Sequence, residues 1–220
     1  MPNIYIPWGA WYGDKIRTLS FPENWDVEVC GMQDAIDIGD TNIREALLSS
    51  GELNQAIASA PRNKSVVICV DDLSRPTPTY RILPILSNML QSYGYKRNQI
   101  IILMAIGAHR VMTRNDFIRK LGIEIVRSLD IRNHSAFSNL AEIETIGEKV
   151  KINRTFLEAG LKIGIGCLMP HSEAGFSGGA KIVFPGLAGI DSIEAWHRRL
   201  SPLENTSINL SGVFQNNPMR

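Results

Sequence analysis

Three continuous apolar runs limit the folds that this sequence can adopt. They occupy residues 65–70, 99–106 and 161–169, and each has the length of a strand. A strand that is apolar along its whole length, rather than at every second position, is typical of a sheet covered on both faces. Helical patterns alternate with these runs along the chain. The sequence therefore predicts an α/β fold in which a mostly parallel, Rossmann-like sheet carries helices on both faces.

Apolar spacing and capping residues predict the other elements. The first predicted helix begins at Asn42, is capped by Asp40 and Thr41, and has a break at Gly51. Two further helices are predicted from Thr79 to Tyr93, with Pro84 inside, and from Thr113 to Gly122. The last predicted helix begins at Asp191, and Glu194 completes its capping box. Weaker patterns predict short strands at residues 26–30 and 123–129, and a hairpin at 142–152 that turns at Gly147-Glu148.

Composition argues against several classes of function. The 220 residues carry a formal net charge of +1, which leaves no basic footprint for nucleic acid or for an anionic membrane. The N-terminus has no basic region followed by an apolar run, and no apolar stretch approaches the length of a membrane span. We therefore expect a cytoplasmic protein with neither nucleic acid nor membrane as a partner.

The chain is predicted to form one domain followed by a linker. Hydrophobic residues make up 44% of the sequence, which is enough for a sizeable core. The composition becomes polar after Ser201. We therefore predict an N-terminal α/β cofactor domain at residues 1–204, and a linker at 205–220 that leads to a C-terminal domain outside this chain.

Each apolar run is followed by a polar segment marked by glycine or proline. Asp72 and Arg75 follow the first run, and His109 follows the second. The third run leads into a glycine-rich segment that holds His171 and Lys181. Ligands of open α/β sheets bind beyond the carboxyl ends of the strands. These five side chains are therefore predicted to converge at one edge of the sheet.

Each of these residues also has an ordinary structural interpretation. Aspartates form Asx turns near prolines, arginines and lysines are commonly solvated charges, and histidines occupy turns or helix ends. A joint structural explanation is weaker, because unrelated surface residues need not gather at strand ends. A phosphate-binding P-loop does not explain the segment either, since Ala180 precedes Lys181 and Ile182 follows it.

Taken together, these segments resemble the nickel-dependent lactate racemase family over roughly residues 8 to 220. The matching segments are Asp72-Leu-Ser-Arg75-Pro76, Gly107-Ala-His109-Arg110, Pro170-His171, Ala174-Gly-Phe-Ser-Gly-Gly-Ala-Lys181, Phe184-Pro-Gly186 and His197. Their agreement in order and spacing makes the resemblance specific. Ser74 departs from the family in a minor way, because threonine is common there and the hydroxyl is kept.

The resemblance implies a cofactor and roles for the matching residues. The family uses a nickel(II) pincer, pyridinium-3,5-bisthiocarboxylic acid mononucleotide, and Lys181 matches the lysine that carries it through a thioamide. His197 matches the histidine that completes the nickel coordination, and imidazole suits nickel. The segment that holds the cofactor nucleotide is matched by Asp72, Leu73, Ser74 and Arg75.

The reaction that the resemblance implies is racemisation or epimerisation of a small 2-hydroxy acid. His109 and His171 match the paired acid/base histidines. One takes the hydroxyl proton while hydride moves to the pincer, and return of hydride to the other face inverts the carbon. Imidazole, with a free pKa of about 6.5, suits such proton transfer. Arg75 is left open between a cofactor phosphate and a substrate carboxylate.

The resemblance also implies cofactor-biosynthesis proteins as partners, and an isomerase that is inactive without its C-terminal domain. Two competing interpretations stay open. One is a non-catalytic domain of the same fold that binds a nucleotide or an anion. The other is a nucleotide-dependent transferase that uses the glycine-rich segment for phosphate, and the failed P-loop match counts against it.

Overall fold

The computed structural model describes residues 3–9, 11–13, 15–31, 36–145, 147–198, 210–213, 215 and 217. The chain divides into two compact units, Met1–Ile43 and Arg44–Arg220. The first unit contains an antiparallel hairpin of β1 (Asn3–Trp8) and β2 (Lys15–Ser20). The strand predicted at residues 26–30 is wrong: they have no regular structure, because none of the described strands pairs with them to form a ladder.

The second unit is built on a four-stranded parallel sheet. Its strands are β3 (Val66–Val70), β4 (Ile100–Met104), β5 (Asp130–Asn133) and β8 (Leu161–Ile165), in the order β5-β4-β3-β8. The predicted α/β fold with a parallel sheet is therefore confirmed. The third apolar run forms the edge strand β8, which ends four residues earlier than predicted and is partly exposed. Strand order reverses between β3 and β8, where open α/β sheets form a ligand crevice.

Side chains of β3 alternate between two hydrophobic clusters, one on each face of the sheet. Val66, Ile68 and Val70 join one cluster, and Val67 and Cys69 join the other. Helix α1 (Gly39–Ser49) has none of its residues buried. The helices that follow it supply much of the cover on both faces: α2 (Gly51–Ser59), α3 (Thr79–Ser92), α4 (Arg114–Leu121), α5 (Ile123–Ser128), α6 (Arg154–Glu158) and α7 (Ile190–His197). This two-sided burial explains why β3 and β4 are apolar at every position.

The predicted hairpin is confirmed as β6 (Leu140–Thr145) and β7 (Glu148–Asn153), which pair in antiparallel register. Thr145 lies opposite Glu148, so the connection is a two-residue turn, and it falls one residue earlier than the predicted Gly147-Glu148 because Glu148 already belongs to β7. Gly147 in that turn has a φ of 74°, which glycine adopts without a steric penalty.

The strand predicted at residues 123–129 is wrong, because this segment forms helix α5. Gly122, at a φ of 86°, ends α4 and leads directly into α5, whose Ile125 faces the core. The edge strand β5 follows only at Asp130. The short apolar pattern did not separate a helix from a strand, and the packing of α5 beside α4 and α3 decides for the helix.

Two predicted helix starts also need correction. Helix α1 begins at Gly39 rather than Asn42, and the break before α2 is at Ser50, whose hydroxyl accepts from the amide of Leu53. Asp191 does not cap α7, which begins one residue earlier behind Gly189 with no side-chain cap. Its carboxylate instead accepts a hydrogen bond from Lys151 Nζ at 2.8 Å.

Most of the linker predicted at 205–220 lies outside the described residues. In its described part, the Gly212 amide donates to Gly175 O at 2.8 Å, and Asn217 Nδ2 donates to Glu173 O at 3.0 Å. These residues therefore contact the glycine-rich segment. Across the described part of the chain, none of the helices combines the length and the apolar character needed to cross a bilayer.

Candidate active site

A buried ion pair holds the loop that follows β3, residues 71–78. Lys120, on α4, is fully buried, and its Nζ lies 2.7 Å from Asp71 Oδ1. The same ammonium donates to the carbonyl of Arg75 at 2.8 Å, and Thr77 Oγ1 donates to Asp71 Oδ2 at 2.5 Å. Burial lowers the pKa of Lys120, and the charge of Asp71 opposes that shift. The loop is thus tied to α4 through side chains.

The second aspartate of this loop pairs with the histidine that follows β4. Asp72 Oδ2 lies 2.6 Å from His109 Nδ1, and Asp72 Oδ1 accepts from the amide of Ser74 at 2.9 Å and from its hydroxyl at 2.5 Å. Burial alone would raise the pKa of Asp72, but the hydrogen bonds from Ser74 and His109 outweigh it and lower that pKa. A carboxylate only accepts, so in a neutral His109 ring the proton lies on Nδ1 and Nε2 carries a lone pair.

The other predicted residues of this loop divide between the cleft and the core. Arg75 Nη1 donates to the carbonyl and the hydroxyl oxygen of Ser74, both at 3.2 Å, and both residues line the cleft described below. Leu73 instead packs its side chain against the cluster below the sheet. Leu73 is therefore a core residue, and the cavity walls do not include it.

In the glycine-rich segment, a short hairpin of β9 (Pro170–His171) and β10 (Gly175–Phe176) fixes His171. The amides of Glu173 and Ala174 point at His171 Nδ1, at 3.2 and 3.3 Å. His171 Nε2 lies 2.8 Å from Lys181 Nζ. Burial, followed by the nearby charges of Lys181 and Arg75, lowers the pKa of His171.

Lys181 lies in a turn of 3-10 helix, Gly179–Ile182, and Gly178 makes the bend in front of it. Gly178 has a φ of 76° and a ψ of −169°, a region that is essentially restricted to glycine. A Cβ at this position would lie 2.8 Å from the carbonyl oxygen of Cys167. The bend returns the chain over the end of β8 and brings Lys181 back to His171.

His197 is the last residue of α7. Its Nδ1 lies 2.8 Å from the carbonyl of Ile193, so Nδ1 carries the proton and Nε2 carries a lone pair. Glu173 Oε2 lies 3.6 Å from that Nε2. A histidine held in this way, with one nitrogen donating to a carbonyl, presents the other as a potential metal ligand.

The predicted residues meet around one cavity of about 390 Å³. Its walls include Asp72, Ser74, Arg75, His109, His171, Lys181 and His197. Lys181 and His197 also border a larger, mainly apolar cavity of about 960 Å³, beside β7, Phe184 and Trp196. The site therefore combines two histidines, an amine, a guanidinium and a potential metal ligand next to an apolar wall.

A family model for the lactate racemase N-terminal domain matches residues 12–208. This chain belongs to the lactate racemase family. A lactate racemase from Thermoanaerobacterium thermosaccharolyticum is 34% identical over 164 residues, which is 73% of this chain and 38% of that protein. One from Lactiplantibacillus plantarum is 35% identical over 159 residues, which is 70% of this chain and 34% of that protein. The chain thus spans about a third of the length of these curated relatives.

Solved structures agree with the family assignment. The lactate racemase apoprotein from T. thermosaccharolyticum superposes with a TM-score of 0.75 at 29% identity, covering 99% of this chain and 51% of its own. A crystal structure of a Thermotoga maritima protein gives a TM-score of 0.67 at 27% identity, covering 83% of this chain and 45% of its own. The lactate racemase fold therefore extends over this chain.

Two contributors to this lactate racemase-like site were not predicted from the sequence. Lys120 reads as an ordinary basic residue in the last turn of a helix, and its burial depends on how α4 packs against the 71–78 loop. Glu173 lies inside the glycine-rich segment, and its amide and carboxylate contact His171 and His197. Glu173 could have been predicted as a site residue, because it lies between His171 and His197 in the sequence. No local sequence pattern identifies Lys120 as a site residue.

Proposed function

We propose that this chain is the cofactor-binding lobe of an isomerase, a racemase or epimerase of 2-hydroxy acids that works by proton-coupled hydride transfer to a nickel pincer tethered at Lys181. The observation that carries the proposal is the single cavity shared by His109, His171, Lys181 and His197. Membership of the lactate racemase family supports a small 2-hydroxy acid as the substrate.

The residues present fit the proposed cofactor. Among the described residues, no group of three or more His, Cys, Asp or Glu side chains would hold a metal by itself. A pincer that brings its own donors needs one more from the chain, and His197 Nε2 offers a lone pair at the cavity wall. Lys181 supplies an amine for the tether, and Arg75 supplies a guanidinium suited to a phosphate or to a carboxylate. When bound, the nickel pincer supplies a hydride acceptor.

His109 is the proposed proton acceptor for the substrate hydroxyl. Its Nε2 carries a lone pair because Asp72 holds the proton on Nδ1. Once Nε2 takes a proton, the ring becomes an imidazolium beside a charged carboxylate, and that pairing stabilises the charge. A bound hydride acceptor would spare the substrate a carbanion next to its carboxylate, and the task left to His109 is to hold the hydroxyl proton. His171, which lines the same cavity, presents Nε2–H and is the proposed second proton holder.

The whole enzyme is proposed to include a second lobe, reached through the linker at 205–220, and to be inactive without it. The share of its relatives' length that the chain spans supports this view. We further propose a cytoplasmic setting and cofactor-biosynthesis proteins as partners, since a tethered pincer must be made and attached before turnover.

The proposed function is tested by loading the two-lobe enzyme and assaying it. The protein is co-expressed with a cofactor-making pathway, the peptide that carries Lys181 is weighed, and bound nickel is measured. A panel of 2-hydroxy acids is then assayed for racemisation. We expect added mass on Lys181, bound nickel and racemisation of at least one acid. An unmodified Lys181 and no nickel, under conditions that load a known lactate racemase, would contradict the proposal.

A further inference from the structure

The backbone fixes the proton of His171. The amides of Glu173 and Ala174 both point at Nδ1, at 3.2 and 3.3 Å. A backbone N–H can only donate, so Nδ1 must offer a lone pair. A neutral imidazole carries one proton, and that proton therefore lies on Nε2. The local turn sets this tautomer, whatever else binds in the cleft.

The proton on Nε2 determines the state of the lysine beside it. Lys181 Nζ lies 2.8 Å from His171 Nε2, which is a hydrogen-bonding distance. An ammonium has three donors and no acceptor, so it would place a donor against the Nε2–H. A hydrogen bond at this distance requires a lone pair on Nζ. The geometry therefore calls for an uncharged amine at Lys181.

The charged and titratable groups around this pair agree with the geometry. They are Arg75 from the 71–78 loop, Glu173 from the hairpin turn and His197 from α7. Burial, followed by the positive charge of Arg75, lowers the pKa of Lys181, and Glu173 opposes this shift without reversing it. Burial lowers the pKa of Lys120 as well, so the two lysines differ in geometry: the Lys120 ammonium has a carboxylate at 2.7 Å and Lys181 has an N–H donor.

We infer that His171 holds Lys181 as an uncharged amine in the unloaded chain, which makes Lys181 a nucleophile for a ligand with an electrophilic acyl carbon. The Nζ lone pair forms a C–N bond, the bond from carbon to the leaving group breaks, and the leaving group departs with that electron pair and one nitrogen proton. The product is an Nζ-acyl lysine and a neutral leaving molecule. Acylation removes the basicity of Nζ, so the Nε2–H of His171 is then free to face the cleft.

The inference rests on the proposed attachment at Lys181 and gives His171 an earlier task, as a positioning residue for the nucleophile. Competitive labelling of the unloaded chain with trace acetic anhydride, between about pH 6 and pH 11, tests it. Lys149, whose side chain is 71% exposed and paired with Glu142, is the internal reference in each digest. The Glu142 partner raises the pKa of Lys149, so a small difference between the two lysines would not be informative. We expect the reactivity midpoint of Lys181 to lie about three pH units or more below that of Lys149, because an amine that is uncharged near neutral pH must lose its proton well below the ordinary lysine pKa of about 10.4.

Two variants separate the hydrogen bond from simple burial. His171→Leu removes the donor and should move the Lys181 midpoint upward towards that of Lys149. His171→Gln keeps an N–H donor and should recover part of the low midpoint. Circular dichroism checks that both variants fold. A Lys181 midpoint less than about three pH units below that of Lys149 in the unaltered chain, or no change in His171→Leu, would overturn the inference. Because no cofactor is present, this result is independent of whether the loaded enzyme racemises a hydroxy acid.

Discussion

His109 and His171 border the same cavity, yet their rings are held with opposite ends protonated. His109 Nδ1 faces the carboxylate of Asp72 at 2.6 Å, which leaves a lone pair on Nε2. His171 Nδ1 faces two backbone amides, which leaves a proton on Nε2. The two residues proposed as an acid/base pair are therefore not interchangeable in the unloaded chain. His109 Nε2 can accept a proton, and His171 Nε2–H can donate one.

The two segments that position these histidines are held by different kinds of contact. The 71–78 loop, which supplies Asp72 to His109, is held by side chains through Asp71, Lys120 and Thr77. The 170–181 segment is held mainly by backbone hydrogen bonds and by glycine conformations, and the Ser177 hydroxyl adds a hydrogen bond to Cys167 O at 2.8 Å. Loss of a side chain should therefore damage the first segment, and addition of a Cβ should damage the second.

Asp72→Asn should have the largest effect, because it reverses the tautomer of His109. The amide of asparagine can donate to Nδ1, which would move the ring proton to Nε2 and abolish the acceptor. We expect kcat of the loaded enzyme to fall about 10³-fold or more, by analogy with the loss of a histidine-orienting carboxylate in a catalytic triad. Nitrogen NMR of His109 should report the change of tautomer directly.

The control for this variant is Ser74→Ala, which removes one donor to Asp72 but keeps the carboxylate. It should cost much less activity and leave the His109 tautomer unchanged. Since Asp72 is also a proposed cofactor contact, nickel content and the mass of the Lys181 peptide must be measured in both variants. Asp72→Asn enzyme that loads normally and retains kcat within about tenfold would show that His109 does not depend on Asp72.

Lys120→Met should destabilise the fold more than any other change to the side-chain brace, which is the set of contacts among Asp71, Lys120 and Thr77 that holds the 71–78 loop. It leaves Asp71 buried without its cation, and we expect the free energy of unfolding to fall by about 3–5 kcal/mol. Urea denaturation of the chain measures this loss. The double variant Lys120→Met/Asp71→Asn removes the uncompensated charge and should recover a large part of it. A single variant that unfolds at the same urea concentration as the unaltered chain would count against the brace.

The contrast between these residues also separates what the sequence could predict from what it could not. Continuous apolar runs predicted β3 and β4, because burial on both faces leaves a direct trace in composition. Polar residues after the strands predicted the shared cavity, because parallel strands bring their carboxyl ends to one edge. The short segment at 123–129 was mistaken because six or seven apolar-rich residues fit a helix and a strand equally well.

The proton positions and the buried cation lay beyond the sequence for a physical reason. The tautomer of His171 depends on amide directions in a turn, and that of His109 depends on a carboxylate 37 positions away in the chain. Lys120 reaches Asp71 only because α4 packs over the 71–78 loop. These features depend on tertiary packing, so they could not be predicted from the pattern of residues along the chain.

Gly178→Ala and Gly179→Ala test whether the second segment depends on backbone conformation, and they should give the smallest effects. Gly178 occupies a glycine-only region, and its Cβ would lie 2.8 Å from Cys167 O, so we expect a loss of stability of about 3 kcal/mol. Gly179 has a φ of 54° with nothing within 4 Å of an added Cβ, so Gly179→Ala should cost about 1 kcal/mol. Urea denaturation gives both values. Equal losses would mean that contact with Cys167 does not shape the bend, and that the return of Lys181 to His171 is set elsewhere.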